Sequence, residues 1–480
     1  MIIFISITKA PVALERLQVA VVNVIKSDQI RSTKMKKTTN ISAALATATC
    51  ALLHPYASAN DILEDWQVDT ALMYYGETDR VTAVEAVVAG QKDFGDEHIF
   101  SGKLVIDTLT GASATGAAAQ ASAQTVSRPS GKGSYTVTPG ATPLDDTFKD
   151  TRVQVDGQWT QPWSDVSRIT TGLHFSTEHD YFSLGFNGSY AHDFYNKNTT
   201  VAAGLAYSYD VIKPEGGLPV PFSIKTAATG TSEDYDDDSY DDDDDYEDDD
   251  EDDDDDGNYS NDQRLGDSDN KSTVDVLFGL TQIINRRMLM QFNLGVSQIS
   301  GYSTDPYKVL SIVNNQGLTQ NLVYEKRPDS RTKTFAYWQT KYAMDFGVAD
   351  FSYRFATDDW KVDSHTFDTR LRINLTDKSY LQPHFRYYSQ SAAEFFQPFL
   401  MEGQVLPEFA TADYRLGEMT AYTLGLKYGM ELDNGDELSF RVEYYQQSPK
   451  NAGFSEPGSL QDVDLYPSVK AVIAQVNYRF

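Results

Sequence analysis

The chain has 480 residues, a formal net charge of −30, one cysteine and 12% aromatic residues, with 29 Tyr. Length admits two or three domains or one large barrel. The lack of any run of about 18 uninterrupted apolar residues argues against a helical membrane span, and a single cysteine excludes a disulfide framework.

Near the start, Met35-Lys36-Lys37 opens a basic region, residues 41–53 form an apolar stretch, and Ala57-Ser58-Ala59 offers small residues for cleavage before Asn60. This order reads as a secretory signal peptide over 35–59, with 1–34 an extension from an upstream start codon. Cys50 falls inside the signal, and Thr47 stands where a lipoprotein would carry Leu, so the exported chain has no thiol nucleophile.

From Trp66 onward the pattern predicts an all-β protein, a transmembrane antiparallel up-and-down barrel occupying 60–480. The expected strands are 67–76, 81–92, 98–109, 148–161, 165–177, 181–193, 199–212, 272–284, 288–300, 334–346, 348–357, 365–376, 378–390, 417–431, 436–447 and 468–480. Alternation is clearest late in the chain. Met290, Phe292, Leu294 and Val296 share one face against Gln291, Asn293 and Ser297, and Leu438, Phe440, Val442 and Tyr444 oppose Ser439, Arg441 and Glu443. Buried parallel strands would be apolar on both faces.

Connection lengths sharpen the expectation. The long segments 110–147, 213–271, 301–333, 391–416 and 448–467 all follow odd-numbered strands, whereas even-to-odd connections such as Asp433-Asn434-Gly435 are short. Long external loops and short periplasmic turns are the rule for outer-membrane barrels, so the cell outer membrane is the expected location.

Around the turn after the fifth strand, His174, Glu178, His179 and Asp180 are a candidate metal or acid/base cluster, weighed against an ordinary exposed turn. His192-Asp193 reads as an interfacial pair. No catalytic set, phosphate loop, zinc spacing or nucleic-acid module occurs, and no enzymatic activity is expected.

Residues 233–256 hold 20 Asp or Glu among 24, which accounts for most of the net charge. Such a run repels itself and cannot pack, so 213–271 is expected to be a disordered acidic external loop. Asp252, Asp254, Asp256 and Gly257 reproduce the start of a calcium loop, but Gln263 stands where a bidentate Glu belongs. Weakly bound calcium is the only cofactor chemistry on offer.

The loop 301–333 is apolar enough to fold inward as a constriction. Beyond it, Lys341, Arg354, Arg370, Arg372, Arg386, Lys427 and Arg441 fall on the polar faces of neighbouring strands, countered by Asp345, Asp368 and Glu443, with His384 beside Arg386. Two readings stand for this basic wall: a transverse field that selects small polar solutes, or cross-strand pairing that fills the lumen. The last strand, SVKAVIAQVNYRF, ends with Tyr478 and Phe480 on its oily face, a pattern similar to the closing strand through which assembly machinery recognises such barrels.

Two stretches, DTALMYYGETDRVTAVEAV (69–87) and IDTLTGASATGA (106–117), resemble the opening of a family of uncharacterised proteobacterial outer-membrane proteins, a domain of unknown function. The resemblance implies an outer-membrane β-barrel with no established enzymatic activity or transport substrate. Its members are often encoded near thioredoxin-like and flavin-transferase proteins, although nothing in this chain supplies redox chemistry. The expected function is a porin-like channel or envelope scaffold for small polar solutes or ions; the rival is a plugged barrel that binds cations or partners at the surface. Expected partners are outer-membrane lipids, the barrel-assembly machinery and other envelope proteins, but not nucleic acid.

Overall fold

A computed structural model describes residues 65–78, 80–128, 133–225 and 264–480. Signal peptide, leader, acidic tract and the candidate calcium ligands Asp252, Asp254 and Asp256 lie outside the described residues.

Sixteen strands close into one antiparallel barrel. We number them β1 (Trp66–Glu77), β2 (Val81–Asp93), β3 (Ile99–Ala114), β4 (Leu144–Ser164), β5 (Ser167–Thr177), β6 (Tyr181–Phe194), β7 (Thr199–Ile212), β8 (Asp269–Asn285), β9 (Met288–Gly301), β10 (Ser330–Met344), β11 (Gly347–Asp358), β12 (Ser364–Thr376), β13 (Ser379–Gln390), β14 (Met419–Glu431), β15 (Glu437–Pro449) and β16 (Val469–Arg479). Each expected strand has one counterpart. The largest differences are at the loop-rich rim, where β3 runs on to Ala114 and β4 starts at Leu144. No helix among the described residues is long and apolar enough to cross a membrane.

Period-two alternation sorts the side chains in the opposite sense to a soluble fold. On β9, Leu294 is 60% exposed and Phe292 and Val296 are also exposed, while Asn293 and Ser297 beside them are 1% exposed. The same inversion leaves Phe278, Leu424 and Val442 outside and Asp275 inside. In water this surface would be heavily penalised, whereas lipid accommodates it and closure leaves no unpaired strand edge. Aromatic side chains gather at the short-turn rim, including the neighbouring pairs Trp66–Phe100 and Tyr478–Phe480.

The seam joins β1 to β16, from Asp69 opposite Arg479 to Glu77 opposite Ala471. Phe480 extends it: its amide donates to the Val68 carbonyl at 3.0 Å and its carbonyl accepts from the Val68 amide at 2.8 Å.

The loops at the other rim pack into a cap. Its hub is a hairpin of Val309–Val313 and Thr319–Tyr324, joined in parallel by Leu400–Met401. The hairpin engages every other long loop. The Val309 amide donates to Thr115 O, Lys225 N to Leu322 O, and Ser459 N to Gln316 O, while Ile312 pairs with Leu400. Leu310, Val313, Leu400 and Leu460 are fully buried there, each such side chain contributing roughly 1.5–3 kcal/mol. The loop 301–333 therefore packs as the centre of a multi-loop closure.

The ends of 213–271 also differ from the expected disorder. Leu218–Pro219 pairs with Arg264–Gly266, and Leu218 and Lys225 are buried in the cap. These flanks carry apolar residues and lack the acidic run, so they can pack.

Candidate functional site: the lumen wall and its cap

All seven residues of the expected basic wall face the lumen, as cross-strand register requires. Lys341 lies opposite Asp350, Asp350 opposite Arg370, and Arg370 opposite His384. Lys341 Nζ is 3.8 Å from Asp350 and Arg370 Nη2 is 3.4 Å from Asp368. Arg386 is aligned with Asp368, and the Arg354 guanidinium sits 4.6 Å from the Phe335 ring centroid. His384 bridges Glu443 at 2.8 Å and Asp368 at 3.0 Å, an arrangement an imidazolium satisfies at both nitrogens. Lys427 and Arg441 are directly opposed, with Glu437 3.8 Å from Lys427 and Glu443 3.7 Å from Arg441. Arg372 lies 3.7 Å from the centroid of Tyr380.

Asp345 corrects one expectation. It is exposed at the β10–β11 turn and pairs with Arg287 at 2.8 Å. It caps a turn because it falls beyond the last inward position of β10; Asp350 and Glu437 supply the counter-charge inside.

The candidate cluster after β5 divides where the strand ends. His174 points inward and bonds Asp156 at 2.8 Å, whereas Glu178 and Asp180 lie beyond the strand and approach Asp150, with one oxygen of each within 4.8 Å of the others. Burial, with repulsion from Asp150 and Asp305, pushes the Asp180 carboxyl up from its ordinary value. His192 and Asp193 do not pair, since successive residues face opposite sides. His192 Nδ1 is 2.7 Å from Ser167 Oγ on the outer face, and inward Asp193 accepts from Arg168 at 3.0 Å.

Sequence reasoning missed two charged groups. One is a lumen cluster on β2–β4, where Arg152 donates to Asp107 at 2.7 Å and lies 3.8 Å from Glu85. The other is the polar centre of the cap. Arg327 reaches Glu325 at 2.6 Å and Asp413 at 2.8 Å; Arg415 reaches Asp413 at 2.8 Å and Asp305 at 2.7 Å. Burial opposes ionisation of Asp413, but Arg415 and Arg327 outweigh it and hold the carboxyl far below its usual range. Lys308, Arg415 and Arg327 do the same for buried Asp305. Burial pushes Glu325 up, helped by Asp305 and Asp413. The only advance signal was that these charges sit in loops with many apolar residues, Val309, Leu310 and Ile312 in one and Phe395, Phe396 and Phe399 in the other, a composition that favours burial.

At the opposite rim the lumen is open. A cavity of about 660 Å³ is lined by Gln67, Arg372, Asn374, Tyr380, Glu437 and Arg479, among others. Inward side chains along the middle of β8 and β9, including Asp275, Leu277 and Gln291, are buried, whereas Arg370 and Arg372 on β12 are exposed. One wall is thus packed and the other is solvated.

These features define a closed sixteen-stranded barrel of membrane type, polar within and capped at one mouth. Residues 42–480 match the family described as "Protein of unknown function (DUF3570)", and the chain belongs to it. No curated protein matches the chain. Among solved structures it is similar to the siderophore receptor PirA from Pseudomonas aeruginosa, at 6% identity and a TM-score of 0.36 over 80% of this chain and 56% of the receptor. It is also similar to outer-membrane expressed OmpT of Vibrio cholerae, at 8% identity and 0.37 over 87% and 97%. A third likeness is to a bacterial polysaccharide outer membrane secretin, at 8% and 0.38 over 86% and 98%. The chain thus spans little more than half the length of the siderophore receptor.

Proposed function

We propose that this protein resides in the outer membrane as a gated, porin-like conduit for small polar solutes. The carrying observation is the pairing of a polar lumen, open and basic on β11–β15 at the short-turn rim, with a cap whose charges are matched within it at the other. The apolar outer face and aromatic rim support membrane residence, and loop parity supports a cap that faces outward. The cap favours a gate over a constantly open pore. Solute selection follows from the wall's fixed charges in a confined, weakly screened path.

Single-channel recording of the folded protein in planar bilayers tests the reading. Long closed intervals broken by discrete openings are expected. Silence across voltages and salts, with insertion verified, would overturn it and leave a plugged barrel that holds partners in the envelope.

A further inference from the structure

The lumen rows defined by strand register differ in charge balance. One row runs Lys341, Asp350, Arg370, His384, Gly425 and Glu443, with acids and bases interspersed. In the row one step nearer the short-turn rim, Gln382 is opposite Lys427, Lys427 is opposite Arg441, and Arg441 is opposite Gln475. Arg372, two residues along β12 from Arg370, projects from the same level. This row has three cations and no acid.

Like charges directly opposed on neighbouring strands are destabilising, and here the opposed pair has a third cation beside it. Glu437 attracts Lys427, while Arg479, Arg441 and Arg372 all repel it. Tyr380 lies beneath two of the cations, with Arg372 at 3.7 Å and Lys427 Nζ at 5.5 Å from its ring centroid. Glu437 is the nearest shared acid, but it already accepts from Tyr380 at 2.6 Å and lies 4.0 Å from Arg479. Arg441 shares Glu443 with His384. Arg372 forms no ion pair among the described residues, and it lines the 660 Å³ cavity.

We propose that Arg372, Lys427 and Arg441 form an oxyanion-binding girdle, entered through this cavity, for a small soluble molecule carrying a phosphate or carboxylate group. A guanidinium whose face rests on Tyr380 keeps its N–H edge for a two-point contact with such a group. Lys427 supplies a compact charge from the adjoining strand. A bound oxyanion would relieve the repulsion between Lys427 and Arg441, so binding and local stability are coupled. The proposal rests on the conduit reading only for the route a solute takes; occupancy needs just an open short-turn rim.

Equilibrium dialysis of the full chain in detergent, with radiolabelled inorganic phosphate at low salt and acetate as competitor, tests it. Saturable uptake is expected, weakened at least tenfold in Arg372→Gln and Lys427→Gln, tightened in Glu437→Gln and unchanged in the loop control Lys450→Gln. Heat-modifiable migration verifies that each variant is folded. Competition by acetate identifies a general oxyanion site; its absence narrows the site to phosphate. No saturable uptake by folded wild-type protein, or unchanged affinity in both weakened variants, would overturn the girdle. Bilayer silence with dialysis results intact would remove the conduit and leave the anion site standing.

Discussion

Replacing Asp413 with Asn should loosen the cap. The carboxylate has a fully buried side chain and takes Arg327 Nη2 at 2.8 Å and Arg415 Nε at 2.8 Å, with the Arg415 amide at 3.1 Å on the same oxygen as Nε. Removing one partner from a buried ion pair costs about 3–5 kcal/mol because the remaining charge is stranded. Asn retains one acceptor oxygen, and Asp305 still holds Arg415 at 2.7 Å, so the lower end, about 3 kcal/mol, is expected. That corresponds to about a hundredfold shift of the closed–open equilibrium. Two readouts follow: open probability in planar bilayers should rise by about that factor until it saturates, and trypsin should cut after Arg415, which the closed cap shields. If neither changes by more than about threefold in folded protein, Asp413 does not hold the cap shut.

Acid should leave the cap closed down to about pH 4. Asp305 and Asp413 have folded-state values below their ordinary range, so their contribution is present above about pH 3.9 and is lost only as pH falls through the depressed values. Glu325, shifted up, adds stability as pH falls; a trypsin-sensitive cap appearing between pH 6 and 4 would contradict this balance. Deleting Phe480 removes two backbone hydrogen bonds across the seam, and the fraction of heat-modifiable, membrane-inserted protein should drop; an unchanged fraction would dismiss it as a closing and recognition element. In Gly347→Ala the new Cβ would lie 1.8 Å from the Arg372 carbonyl oxygen, displacing β12 at a cost of about 1–3 kcal/mol or more, read as a lower urea midpoint. Deleting 233–256 should abolish any calcium heat in calorimetry, and equal heats with and without the tract would place calcium elsewhere.

The barrel was legible because its code is local. One face of each strand meets lipid and the other meets polar surroundings, so alternation marks the strands and loop length marks their direction. Residue parity also placed all seven basic wall residues in the lumen. Partners across the wall were less legible: Asp345 reads as a counter-charge within the wall, but it sits in the β10–β11 turn at the mouth of the short-turn rim, where it pairs with Arg287. His174 and Glu178 are four residues apart in sequence, yet one points into the lumen and the other lies in the turn.

The cap was not legible, because its contacts join loops far apart in sequence, as in Gln120 Oε1 accepting from the Thr319 amide 199 residues away. No periodicity encodes such pairings. The segment 106–117 shows how one stretch serves both regions. Asp107 completes the ion pair with Arg152, Gly111 adopts a φ of +136° where a Cβ would strike the Arg80 carbonyl, and Ala117 is buried against Val309 and Tyr324.

The two charged regions have opposite energetics, and this bears on what each can do. In the cap the charges are desolvated and matched, an arrangement that adds little net stability yet is costly to disrupt, because every lost partner strands a buried charge. In the conduit reading that makes closure all-or-none, since opening by partial displacement would incur the cost without recovering hydration. In the girdle, Arg372 is exposed and Lys427 and Arg441 are half-buried, so hydration offsets their repulsion and an incoming oxyanion need displace only water. If the conduit reading holds, solutes bind at the solvated end before the matched end opens. Salt should therefore weaken oxyanion binding more than it weakens cap closure, because screening acts on exposed charges and hardly reaches buried pairs. Raising KCl from 0.05 to 0.5 M, about a threefold drop in Debye length, should cut phosphate affinity severalfold while trypsin sensitivity of the cap stays constant; loss of both together would mean that the two regions share one set of charges.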